Sequence, residues 1–164
     1  QCWRASCLLY PELEIYTSND TGIKMHFWWA FLNNNPQYQN KVSSVVSVLM
    51  GVQPRPMQRN LSENKRQCGL CKMWVKENQI HILFECSELE SLRVPAWRRL
   101  LNSMPPSLAQ EFELPDINGR NAKLLLSGLG GQYINEWNNI YIEIVLFVWD
   151  LYKHRKEKYD AMSA

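Results

Sequence analysis

Cys68, Cys71, His81 and Cys86 are the residues whose types and spacing could do chemistry in this chain. They read C-x2-C-x9-H-x4-C within the stretch RQCGLCKMWVKENQIHILFECSELESLR. Three thiols and one imidazole complete one tetrahedral Cys3His site for Zn2+. When protein ligands fill all four positions, no place is left for a reactive water. The expected metal is therefore structural, and the expected protein is a stapled interaction module and not a metalloenzyme.

Such a site needs elements that bring its two halves together. Gly69 lets the backbone curl between Cys68 and Cys71. His81 and Cys86 are five residues apart, about 140° around a regular α-helix. Both cannot face one ion from an uninterrupted helix. The spacing predicts a helical turn carrying His81, with Cys86 just past its end. Ile82, Leu83 and Phe84 between them should pack inward. Ser87-x-x-Glu90 reads as a capping box that starts the next helix. Leu89, Leu92 and Arg93 lie on that helix, Pro95 kinks or restarts it, and it continues to about Ser103.

The rest of the chain reads as helices as well. Residues 24–32 form a short buried helix, stopped by Asn33, Asn34, Asn35 and Pro36. Residues 37–50 form a second, with Tyr38, Val42, Val45, Val46 and Leu49 on one face and Gly51 as its cap. Pro54 and Pro56 lead into the metal motif. Residues 105–115 read as a polar, acidic loop, and residues 122–126 as a short helix stopped by Gly128, Gly130 and Gly131. The last helix, about 132–158, is the clearest. Ile134, Trp137, Tyr141, Ile144, Val145, Val148 and Leu151 make its stripe, and Lys153–Lys158 would be a basic turn at its C-terminal end. The expected fold class is mostly α: an irregular helical domain organised around one structural Cys3His zinc site. An N-terminal helical segment (1–52, thumb- or linker-like) would join a zinc motif with its helical region (53–164) in one compact unit.

Composition allows this. The chain has 164 residues, and its 46% hydrophobic content supports a real core. Net charge is only +2, but the stretch from Gly51 to Lys76 carries six basic residues and one acid. Arg55, Arg59, Lys65, Arg66, Lys72 and Lys76 could meet phosphate. They could equally be a solvated surface. Trp28, Trp29, Trp97, Trp137 and Trp149 suit core packing. Trp74 lies in a polar loop between the ligand pairs and suits base stacking. No apolar run approaches ~18 residues, so no membrane span is expected. The five cysteines fit metal binding in a reduced compartment better than a disulfide framework. Cys2 and Cys7 read as free thiols. The start at Gln1 reads as a fragment or a processed product.

The residues CGLC, then nine residues, then HILFEC, followed by a helix with Arg93, resemble a known pattern. It is the CCHC motif near the C-terminus of non-LTR (LINE-type) retrotransposon reverse transcriptases. Glu77, His81, Ile82, Leu83, Phe84, Cys86 and Arg93 stand at matching places, over about residues 66–93. A looser likeness runs from about Val42 to Lys158. The resemblance implies a module downstream of a polymerase that helps hold template RNA or target DNA, in the nucleus or cytoplasm, with the polymerase part of the same protein as a partner. This chain has no Asp-Asp pair, so the Mg2+-binding carboxylates of a polymerase are absent from it. Leu114-Pro115-Asp116 resembles the Pro-Asp of restriction-like nucleases, but the acid-x-Lys that should follow is missing. The function expected is therefore non-catalytic nucleic-acid binding. The alternative is a protein-interaction or scaffolding domain that docks on a polymerase body or a second copy through the last helix.

Overall fold

The structure is a computed structural model that describes residues 21–49, 67–75, 78–113, 119–130 and 132–162. Six α-helices occur among them: α1 (Thr21–Asn34), α2 (Gln39–Leu49), α3 (Glu90–Ser103), α4 (Pro106–Phe112), α5 (Arg120–Leu126) and α6 (Asn138–Met162). Short 3-10 turns occupy Pro36–Tyr38, Ser87–Leu89 and Asn135–Trp137, and a π-helical turn spans His81–Glu85. The described residues contain no strand. The fold class is the expected one: mostly helical, with a Cys3His cluster in place.

The long helix α6 organises the core. Tyr141, Ile144, Val145, Val148 and Leu151 are buried as its stripe predicts, and Ile140, Phe147 and Tyr152 widen the buried face. The stripe's first two members, Ile134 and Trp137, precede the helix, and Ile134 is exposed. A helix buried over so broad an arc needs partners on more than one side. It packs against both α2 and α3. Helix α2 contributes Val42, Val45 and Val48, and α3 contributes Ala96 and Leu100.

Helix α1 closes this core with aromatic mass. Phe27, Trp28 and Phe31 are buried, and Phe27 meets Tyr141 edge-to-face at 4.8 Å between ring centroids. Trp29 is 56% exposed and so does not join the core. It stands about 100° round the helix from Trp28, and Phe27, Trp28 and Phe31 already fill the inward face. Trp28 Nε1 donates to the Leu126 carbonyl at 2.8 Å, tying α1 to the end of α5. There the chain turns through Gly128 at φ 65° with the Phe27 ring directly against its Cα. A side chain would meet that ring, so glycine is needed twice over, for space and for backbone conformation. Asn35 ends α1 by donating from Nδ2 to the Phe31 carbonyl (3.0 Å) and to Asn138 Oδ1 (2.7 Å). Asn138 returns a bond to Asn35 Oδ1 at 3.0 Å. This reciprocal amide pair joins the end of α1 to the start of α6.

Several sequence expectations need correction. The capping box at Ser87 does not form: the chain enters its first turn from Cys86, so Ser87 is already inside, and neither turn start has a side-chain cap. Pro95 does not restart the helix, since α3 runs through it. Part of the expected loop 105–115 is helix α4, which Pro106 starts at a position where the missing N–H costs nothing. Phe112 supplies a buried anchor for α4. Lys153–Lys158 is not the last turn of α6, which continues to Met162. Arg155 is buried there with its guanidinium 4.8 Å from the Tyr159 ring centroid, and Lys156 pairs with Asp160 at 2.8 Å. No described helix is long and apolar enough to cross a membrane.

Candidate metal centre

The first ligand pair sits in a turn held by its own backbone. Lys72 N–H donates to the Cys68 carbonyl and Cys68 N–H to the Met73 carbonyl, both at 3.0 Å. Lys72 takes a left-handed conformation (φ 62°) to close this turn. Its ammonium folds back to the Gly69 carbonyl at 2.6 Å. Gly69 faces Tyr159 of α6, and a Cβ there would approach the ring to 2.7 Å at Cε1. Gly69→Ala should thus push Tyr159 aside and cost about 1–2 kcal/mol. A thermal melt should fall by a few degrees.

The second pair depends on the π-turn. Asn78 Oδ1 accepts the His81 N–H at 3.0 Å and starts the turn. Cys86 N–H then donates to the His81 carbonyl at 2.7 Å, an i to i+5 bond. A π-turn is wider than an α-turn, so five residues bring the chain back to nearly the same face. That is how His81 and Cys86 come to point at one place. Ile82 and Leu83 are buried beneath it, as expected, and Phe84 is partly so.

The four ligand atoms lie within 4.8 Å of one another. Cys68 Sγ is 4.0 Å from Cys86 Sγ, and Cys71 Sγ is 3.5 Å from His81 Nε2. A tetrahedron with metal–sulfur bonds of 2.3 Å has sulfur–sulfur edges of about 3.8 Å, and its sulfur–nitrogen edges are about 3.5 Å. The group therefore fits a metal ion with little movement. Cys68, His81 and Cys86 are buried and Cys71 is partly exposed. His81 presents Nε2 inward, and Glu85 Oε2 lies 3.4 Å from its other nitrogen, Nδ1. This is an ion-pair separation and not a formed hydrogen bond. A small shift of the exposed Glu85 would make the carboxylate–histidine contact that orients metal ligands.

Arg93 braces the turn from α3. Nη1 donates to the Phe84 carbonyl at 3.0 Å, and Nη2 donates to the Cys86 carbonyl. The Cys86 carbonyl also accepts the Leu89 N–H at 3.2 Å, so there Arg93 adds a second bond. Burial acts against the Arg93 charge, and Cys86, Glu90 and Glu85 offset part of that. The spacing of Asn78, Glu85 and Arg93 from the ligands was readable, but nothing in the sequence marks a π-turn, so their roles were not.

Without metal, the thiols share protons unequally. Contact with the Cys86 sulfur, then burial, pushes Cys68 up to about 12. The same contact holds Cys86 below the ordinary thiol range. Burial raises Cys71. For His81, burial alone would depress the imidazole, but Cys68 and Glu85 outweigh it and raise it. The sign for metal binding follows. Cys68 and Cys71 hold protons at neutral pH and must lose them to coordinate. Apparent metal affinity should therefore rise by more than about tenfold per pH unit between about pH 7 and 9, as these protons leave. Competition against a chromophoric chelator measures this slope. In the metal-free chain the Cys68 contribution has the opposite sense. Its raised value stabilises the fold fully below about pH 9 and is lost as pH rises towards about 12.

Of the proposed nucleic-acid contacts, Lys72 and Trp74 are among the described residues. Trp74 is 69% exposed, beside Met73 at 59%. Lys72 is exposed but bonded within its own turn. Arg55, Arg59, Lys65, Arg66 and Lys76 lie outside the described residues, as do Cys2, Cys7, Glu77 and Leu114-Pro115-Asp116. No protein-family model, curated protein or solved structure matches this chain.

Proposed function

We propose that this chain is a zinc-stabilised nucleic-acid-binding module of a retrotransposon-type reverse transcriptase, non-catalytic in itself. In this reading it holds template RNA or target DNA inside the cell, in the nucleus or cytoplasm, beside the polymerase part of the same protein. The observation that carries the reading is the turn between the ligand pairs. Met73 and Trp74, just past the first ligand pair, face solvent at 59% and 69% exposure. An exposed indole next to a basic stretch is suited to stacking on bases while lysines and arginines meet phosphates. Three thiolates and an imidazole at tetrahedral spacing favour Zn2+ over harder divalent ions. Arg93 on the following helix supports the likeness to the retrotransposon motif, because it bonds the carbonyl of the last ligand.

The alternative, docking of the last helix on another protein, has less support. The apolar stripe of α6 is spent inside this chain. The test is metal analysis together with filter binding of RNA and DNA at two salt concentrations. One zinc per chain and binding that weakens steeply with salt are expected. Binding indifferent to salt, or none, would reject the reading.

A further inference from the structure

A second site lies beside the metal centre. A cleft of about 510 Å³ opens between α3 and α4, within the size range of sites for small ligands. Its floor is aromatic: Phe84 from the π-turn and Trp97 from α3, edge-to-face with centroids 5.4 Å apart. Arg93, Arg98, Asn102 and Glu113 bring polar groups to it. Arg98, Asn102 and Glu113 are exposed, so they are free to meet a ligand without disturbing the core.

We propose that this cleft takes one unpaired nucleotide of a bound single strand. The inference rests on the nucleic-acid reading above and names the state of the strand and the edge that is read. An occupant must offer three things: a flat apolar body for the Phe84 and Trp97 floor, a polar edge for Asn102 and Glu113, and an anionic group for Arg98. A nucleotide offers all three, as base, base edge and phosphate. A paired base does not, because its faces are stacked and its edge is taken. The carboxylate form of a glutamate, as at Glu113, accepts and cannot donate. It therefore selects a base whose edge presents an amino donor, such as cytosine, over one that presents a carbonyl there, such as uracil. Phe84 and Arg93 also belong to the metal centre, through the Arg93 bonds to the Phe84 and Cys86 carbonyls. The cleft and the metal centre therefore share Phe84 and Arg93.

The test uses the full chain loaded with zinc. Oligocytidylate, oligouridylate and a blunt duplex of equal length are titrated by fluorescence anisotropy at low salt. Oligocytidylate should bind about tenfold more tightly than oligouridylate. Glu113→Gln should bring the two within about twofold, since an amide serves either base edge. Arg98→Ala should weaken both single strands by about fivefold and leave the duplex unchanged. Equal binding of the two oligonucleotides, with Glu113→Gln and Arg98→Ala like the parent, would overturn the cleft while leaving the phosphate-binding reading intact. Absence of binding by any of the three probes would overturn that underlying reading as well.

Discussion

Chelating the metal, or replacing Cys86 with serine, should lower the melting temperature by more than about 10 °C and reduce helix content. The segment 67–75 has little else to hold it: of its side chains only Cys68 and Leu70 are buried, and Met73 and Trp74 face solvent. The π-turn is a costly conformation that brings two ligands onto one face. Without the ion, Cys68 and Cys86 become two sulfurs 4.0 Å apart at the base of the core. Structural zinc sites contribute folding energy directly. A loss of about 5 kcal/mol is a modest share of what such sites supply, and about 2–4 °C per kcal/mol is usual at this chain length. Circular dichroism with and without chelator measures both effects. An unchanged melt would mean that the core alone holds the cluster and that the metal is incidental.

Arg93→Ala should destabilise the fold by about 2–3 kcal/mol. The guanidinium satisfies two carbonyls, at Phe84 and Cys86, that end the π-turn. Hydrogen bonds from a charged donor are worth about 1.5–3 kcal/mol each; alanine would remove both, and the Cys86 carbonyl would keep only its bond from the Leu89 N–H. Arg93→Lys should recover less than half of the loss, because one ammonium cannot reproduce a planar fork across two carbonyls. The loss should also show in the metal site. Apparent zinc affinity should fall at least tenfold, because the carbonyl of the last ligand is no longer anchored to α3. Chemical denaturation with and without zinc separates the two effects. A variant that loses stability but keeps its zinc affinity would make Arg93 a brace of the fold alone.

The ligands and most of the helical frame were legible in the sequence, because both rest on local patterns. Thiol and imidazole spacing is visible without coordinates, and so is the period of the α6 stripe, where Tyr141, Ile144, Val145, Val148 and Leu151 are all buried. The inability of His81 and Cys86 to share a regular helix followed from helical geometry alone. Cys86 lies just past the turn that carries His81, as the spacing predicts, but the π form of that turn was not readable. A π-turn leaves no composition signal, since the wider turn is stabilised by groups outside it, here Asn78 before it and Arg93 nine residues beyond Phe84. The end of α6 was misplaced for a similar reason. Lys153–Lys158 reads as a charged terminus, yet Arg155 is buried and Tyr159 packs on Gly69, 90 residues away. The sequence by itself determined which residues can hold a metal and which helix forms the spine. Tertiary structure decided how the two ligand pairs meet and where a cleft opens beside them. Those depend on contacts between side chains far apart in the chain, whose energies no local pattern encodes.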